Sequence, residues 1–280
     1  MGVDMASAPG EVPTKNESEL LFEEHLRASG LAEFAYEMDL PGTTRRPDYA
    51  VPWNDSFLLF EVKEFRAESA DFLSGFGSYD PYPPVREKIN AASKKFKDLD
   101  TYCCSLVLYN VDKPLVHLEW QFIYGAMLGN LGFSVPLDLP GRPAPPDPAI
   151  TSIFMSGGKM HRERRGVPTG PQNTTISAIL VLQSLSIGNR RFQAHVRQLE
   201  QERGAKLAIE EIFDESERAS GTERDGDLRQ LRIVVHENPY ARAPLPGELF
   251  RGPYDERYGG RDGRVQRLYC GHEIAALAED

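Results

Sequence analysis

With 280 residues, 40% of them hydrophobic and 26% charged, the chain has the makeup of an ordinary globular protein, one large domain or two small ones around a sizeable core. A formal charge of −10 argues against a surface coated with phosphate-binding groups, although the 32 Lys and Arg cluster at Lys88 to Lys97 and at Lys159 to Arg165, so that one face can still be positive. Three cysteines (Cys103, Cys104 and Cys270) make neither a disulfide framework nor a zinc spacing, and no apolar run reaches the ~18–20 residues of a membrane span.

In chain order, residues 1–16 lack the basic start and apolar stretch of a secretory signal and read as a disordered leader on a cytoplasmic protein. Asn16 or Ser18 caps an expected helix to about Ser29, with Leu20, Phe22 and Leu26 at helical spacing and Gly30 as the stop. EFAYEM at 33–38 reads as a strand and 41–45 as a turn. Asp48 to Val51 reads as a second strand and Ser56 to Phe65 as a third, more central one, joined through Trp53-Asn54-Asp55. Residues 72–84 have loop chemistry, with Phe72, Phe76, Tyr79 and Tyr82 expected to fold back onto the core. A helix over 84–99 places Val85, Ile89, Ala92, Phe96 and Leu99 on one stripe, and CCSLVLYN at 103–110 reads as a strand buried on both faces.

The second half is less regular. Residues 115–130 fit a helix or a strand equally well, and six prolines in 136–148 predict a stiff linker. Residues 157–172 read as a basic loop, ISAILVLQ as a buried strand, and Arg190 to about Arg218 as a long charged helix whose acidic stretch at 206–217 is a solvated face. LRIVVHENP is expected to be the last strand, followed by an ordered tail in which Asp255 has no catalytic role. With no internal repeat, the second half reads as additions to the sheet of the first.

The chemistry concentrates in the first half. Strand side chains alternate faces, so Glu61 and Lys63 lie side by side on one face of the third strand, and Asp48 at the start of the adjoining strand brings a second carboxylate to them. Two carboxylates can hold a hard divalent cation, with the Val62 carbonyl as a further ligand. Magnesium takes one or two carboxylates and fills the rest of its shell with water and substrate phosphate. A neighbouring lysine can orient the attacking water and neutralise charge developing on phosphorus. Those are the requirements of phosphodiester hydrolysis.

Pro47-Asp48, a gap, then Glu61-Val62-Lys63 resembles the signature of the PD-(D/E)XK nuclease superfamily, whose restriction endonuclease-like fold also includes Holliday junction resolvases. The resemblance spans roughly residues 17–110, in the element order α-β-β-β-α-β. It implies an α/β core with a mixed sheet flanked by helices, elaborated over 111–280 within a single domain covering 17–280. It also implies Mg²⁺ or Mn²⁺ as cofactor, Asp48 and Glu61 as ligands, and Lys63 as the catalytic lysine. A glutamate of the first helix often completes such a site; Glu19 fits best and Glu23 is the runner-up. The helix after the third strand often presents a Lys or Gln, a role open to Lys88 or Lys95. The implied substrate is DNA, with RNA not distinguished; Lys88 and Lys95 are candidate contacts to it, and the basic loop with Arg162, Arg164 and Arg165 reads equally as a flexible phosphate clamp or as a solvated lid. The acidic balance points to a homo-oligomer or a partner protein, as for a nuclease that is the effector of a defence or repair system.

The rival readings are an inactive nucleic-acid-binding or assembly subunit on the same fold, and an unrelated α/β protein in which Glu61 and Lys63 form a structural ion pair. Glu64 is expected on the opposite face in a solvated role. His161 is expected to be exposed in its loop, and His117, His195 and His236 to be hydrogen-bonded structural residues. There is no GxxxxGK[ST] loop, GxGxxG turn or GxSxG elbow.

Overall fold

The computed structural model describes residues 15–40, 43–67, 80–129, 131–134, 151–154, 157–164, 167–186, 229–261 and 264–271, together with residues 196, 198–204, 206 and 211. The first element, α1 (Glu17–Ala28), starts on a capping box: the Asn16 side chain accepts from the Glu19 N–H at 2.9 Å, and the Glu19 carboxylate accepts from the Asn16 N–H at 2.8 Å. It ends at Ser29 because Gly30 turns to φ +77°, a conformation that costs glycine nothing.

Strands β1 (Ala35–Tyr36), β2 (Tyr49–Trp53) and β3 (Ser56–Phe65) follow, then α2 (Pro83–Lys95) and β4 (Cys103–Asn110), which is the α-β-β-β-α-β order read from the sequence. β2 and β3 form an antiparallel hairpin with Tyr49 opposite Phe60, and β3 and β4 run parallel with Glu61 opposite Leu106. Parallel neighbours need a crossover, and α2 supplies it. The remaining elements are α3 (Trp120–Leu128), β5 (Leu131–Ser134), β6 (Thr151–Phe154), β7 (His161–Arg164), β8 (Val167–Pro171), β9 (Ile176–Ser186), β10 (Arg229–Glu237), β11 (Glu256–Arg261) and β12 (Arg264–Cys270).

Among the described residues, eight strands make one mixed sheet in the order β1-β2-β3-β4-β9-β10-β11-β12, so the second half of the chain extends the sheet of the first. Because strand side chains alternate, the sheet buries two cores. Phe22 and Leu26 of α1 pack with Tyr49, Val51, Leu58, Phe60 and Val62 on one face. Val85, Ile89, Ala92 and Phe96 pack with Ala50, Leu59, Phe65 and Leu106 on the other. β3 and β4 sit in the middle of the sheet, covered on both sides, which is why both read as nearly continuous apolar runs.

Several expectations need correction. The strand expected at 33–38 contracts to Ala35–Tyr36, and β2 begins after Asp48 instead of at it. The expected helix 84–99 closes at Lys95. The ambiguous 115–130 segment is helical over Trp120–Leu128. The basic loop contains the antiparallel pair β7 and β8, and His161, expected to be exposed, is buried at the head of β7. LRIVVHENP is not the final strand, because β11 pairs parallel with β10 and β12 antiparallel with β11. Their sequences, ERYGGR and RVQRLYC, carry charges and glycines that hide a strand pattern. Residues 1–14 of the leader, the prolines of 136–148, Phe72, Phe76, Tyr79, Arg165 and His195 lie outside the described residues, as does most of 190–218, where residues 198–203 are helical. Among the described residues no helix is long and apolar enough to cross a membrane.

Candidate active site

The alternation that builds the two cores also decides which polar groups meet. Ala50 and Leu59 point to the α2 face, so Asp48, Glu61 and Lys63, each an even number of residues away, point there too. Asp48 stands just before β2, where the hairpin ladder stops, and its Oδ2 accepts the Val62 N–H at 2.8 Å. A strand residue directs its N–H and C=O to the same side, so the Val62 carbonyl also faces the Asp48 end of the hairpin.

Lys95, the last residue of α2, closes the cluster. Its Nζ lies 2.6 Å from Asp48 Oδ1 and 2.6 Å from Glu61 Oε2, while Lys63 Nζ lies 2.6 Å from Glu61 Oε1. Asp48 and Glu61 are buried, whereas the two lysine side chains are about 30% exposed, so the cluster opens to solvent on its cationic side. Despite the short Lys95 distance, Glu61 Oε2 has no well-directed hydrogen bond. It is a buried carboxylate oxygen whose close partner is the Lys95 ammonium alone, itself shared with Asp48.

The electrostatics carry the same tension. Burial, and then the charge of Asp48, push the Glu61 carboxyl above its ordinary value, against the pull of Lys63 and Lys95. Burial opposes the Lys95 charge, but Asp48 and Glu61 outweigh it and hold the ammonium above its ordinary value. One lysine is shared between two acids, and the mutual repulsion of the acids falls on the more buried of them.

These residues fit a hard divalent cation in one specific respect. A single cation already bridges oxygens of both carboxylates, and one of those oxygens lacks a directed donor. Asp48, Glu61 and the Val62 carbonyl would hold such an ion, with water and substrate oxygens completing its shell. Among the described residues no group of three or more His, Cys, Asp or Glu gathers closely enough to hold a metal by itself.

Other candidates are placed elsewhere. The Glu19 carboxylate serves the capping box and accepts the Tyr36 hydroxyl at 3.2 Å; no hydrogen bond or ion pair joins it to Asp48 or Glu61. The Asn16-x-x-Glu19 spacing was the sequence signal for that role. Tyr36 nonetheless feels both sites: burial, Glu19 and, more weakly, Asp48 all raise its pKa. Glu23 lies buried on the α1 face, held by Lys15, by Arg27 Nη2 at 2.9 Å and by the Tyr49 hydroxyl at 3.0 Å. Of the two lysines left open by the sequence, Lys95 reaches the carboxylates, while Lys88 stands with its Nζ 5.3 Å from the Phe65 ring centroid.

Glu64, expected to be solvated, is half-buried and paired with Arg66 at 2.6 Å. Arg162 is exposed on β7, and the segment before that strand is tied to α3 by Lys159 N–H to Ala126 and Met160 N–H to Met127 backbone bonds. Arg164 shares β7, and no hydrogen bond or ion pair among the described residues joins Arg162 to the cluster. His236 is fully buried with neither ring nitrogen hydrogen-bonded, contrary to expectation; it stacks on Tyr258 and meets the edge of Tyr124. Burial holds its pKa down at about 3, so it stays neutral. Asp255 is a loop organiser, accepting the Ile233 N–H at 2.8 Å and the Gly252 N–H at 2.9 Å. Comparison with protein-family models, with curated proteins and with solved structures gave no match to this chain.

Proposed function

We propose that this chain is a metal-dependent nuclease of the PD-(D/E)XK type, with a restriction endonuclease-like core over residues 17–110, that hydrolyses phosphodiester bonds in DNA. The observation that carries the reading is the convergence of Asp48 and Glu61 from adjoining strands on one shared cation, with a second lysine on the remaining Glu61 oxygen. A bound Mg²⁺ or Mn²⁺ would supply Lewis acidity and a more acidic water.

The rest is done by side chains of this chain. Asp48 is fixed by the Val62 N–H, so its other oxygen is presented to the shared position at little further entropic cost. Burial makes the Glu61 charge costly, and a divalent cation held there would compensate it more fully than a lysine does. Lys63, anchored at Glu61 and open to solvent, is placed to orient the attacking water and to meet the negative charge that grows on the phosphoryl oxygens. Lys95 bridges both carboxylates at the position such an ion would take, and it would stand beside a phosphate bound there. A formal charge of −10 makes a second copy or a partner protein the natural source of additional binding surface in a cytoplasmic setting.

The test is incubation of supercoiled plasmid, linear duplex, single-stranded DNA and RNA with the protein in Mg²⁺, Mn²⁺ or EDTA. Cleavage that requires the metal and is lost in folded Asp48→Ala and Lys63→Ala proteins supports the reading. Metal binding without cleavage of any substrate, in the chain alone and with its partner, would leave a binding module on the same core.

A further inference from the structure

The register of the sheet sets one further group in line with Glu61. Glu61 pairs with Leu106, Leu106 with Ile179, Ile179 with His236 and His236 with Tyr258, so these five residues form one row across β3, β4, β9, β10 and β11. Paired strand residues point to the same face of a sheet, which here is the α2 face. Leu106 and Ile179 are fully buried in the middle of the row. Tyr258 closes it four strand spacings from Glu61, about 19 Å across the sheet.

At that end three rings stand face to face. The His236 imidazole stacks on the Tyr258 ring at 5.6 Å between centroids and 12° between planes, and the Tyr258 ring stacks on the Trp120 indole at 6.3 Å and 18°. These are offset stacks. The inner rings are pinned: His236 meets the edge of Tyr124, the Tyr258 hydroxyl donates to Glu256 Oε2 at 2.9 Å, and the Tyr258 carbonyl accepts the Tyr124 hydroxyl at 2.9 Å. His236 is fully buried with neither ring nitrogen hydrogen-bonded, so it serves the stack as a flat plate and not as a polar group. Trp120, the first residue of α3, is the outermost of the three rings and keeps 37% of its surface open to solvent. A large ring held from behind and open to solvent loses little entropy when a further flat ring adds to it.

Resting on the nuclease reading above, we propose that Trp120 is a stacking platform for an unpaired base of the strand whose phosphodiester is cut at Asp48 and Glu61. The substrate class is then a polynucleotide with a single-stranded stretch, because a base inside an intact duplex hides both faces against its neighbours. Every base has a π-face, so the platform is indifferent to sequence. The residue before Trp120 is the exposed acid Glu119, which favours a base over a phosphate at this point.

The test is titration of a single-stranded and of a blunt duplex oligonucleotide into the full chain in EDTA, so that nothing is cut, read by anisotropy of the labelled nucleic acid and by tryptophan fluorescence. The chain has two tryptophans, so Trp53→Phe leaves Trp120 as the one emitter, and the single strand should quench it while the blunt duplex should not. Trp120→Leu keeps an apolar side chain against Tyr258 and should weaken single-strand binding about tenfold; Trp120→Phe keeps a ring and should weaken it less. Neither should change the slope of log affinity against log salt, because no charge is lost. Leu20→Ala, an exposed apolar position on α1 across the sheet, is the control and should leave binding unchanged. If the parent cuts DNA while Trp120→Leu keeps full single-strand affinity, or while Trp53→Phe shows no quenching, the platform is wrong and the nuclease reading stands. If Trp120→Leu instead dissociates a dimer without altering nucleic-acid affinity, the ring belongs to a protein interface and the platform is wrong. If the parent binds neither DNA nor RNA, both readings fall together.

Discussion

Two acidic clusters sit on opposite faces of the same hairpin, and they are built differently. On the α1 face, Glu23 is met by Lys15, Arg27 and the Tyr49 hydroxyl, and Glu19 by its helix cap and Tyr36. Burial alone would raise the Glu23 pKa, yet those donors outweigh it and the net shift is downward. On the α2 face, Asp48 and Glu61 share Lys95, one Glu61 oxygen lacks a directed donor, and the net shift of Glu61 is upward. Both clusters combine buried carboxylates with lysine and belong to one small hairpin. The first is satisfied and serves the fold; the second retains electrostatic strain, which is what the proposed cation site would require.

The largest expected contrast is in activity. Lys63→Ala should lower cleavage by about 10²–10³-fold, whereas Glu23→Gln should leave it within about twofold, both read as initial rates on plasmid. Metal affinity comes next. Lys95→Met removes the internal competitor for the carboxylates and should tighten Mn²⁺ binding about tenfold in a calorimetric titration. In EDTA the same change leaves the carboxylates facing each other and should lower stability by about 3 kcal/mol, with saturating Mn²⁺ restoring it. Weaker Mn²⁺ binding by Lys95→Met would mean that the lysine supports the ion instead of standing in for it.

Stability should then separate the two glutamates by sign. Glu23→Gln breaks a satisfied network and should cost about 2 kcal/mol at neutral pH in denaturant melts. Glu61→Gln removes the repulsion with Asp48 and should be neutral, or stabilising by about 1 kcal/mol, while abolishing activity. The smallest effect is the pH profile behind these numbers. A depressed Glu23 contributes stability that is present above its ordinary value of 4.5 and is lost as pH falls through the folded value. A raised Glu61 works the other way: the folded state holds its proton longer than the unfolded chain, so stability declines as pH rises from 4.5 through the folded value. Each slope should vanish in the corresponding Gln variant.

Much of the scaffold was legible because it rests on local rules. β3 and β4 are continuous apolar runs that occupy their expected bounds, Ser56–Phe65 and Cys103–Asn110, and α1 announces itself through its cap and Gly30. The pairing of Asp48 with Glu61 and Lys63 followed from strand alternation alone. The choice between Lys88 and Lys95 did not, since both lie on the same face of α2. Only the register of the helix along β3, a tertiary property, puts Lys95 against the carboxylates. Glu19 carries two readings instead. A helix-one glutamate has an acid's chemistry for a metal site, and the capping-box spacing three residues after Asn16 is the more local explanation. β11 and β12, the last two strands of the sheet with β12 at its edge, escaped notice because they keep charged and glycine residues that central strands exclude.

The central claim, that the strained cluster is held ready for a divalent cation, is tested most directly by titrating Mn²⁺ into the parent protein and its Glu61→Gln and Glu23→Gln variants in a calorimeter. The account predicts binding by the parent and by Glu23→Gln, and no binding by Glu61→Gln. Failure of the parent to bind, or equal binding by Glu61→Gln, would contradict it and leave the four residues as a structural ion network.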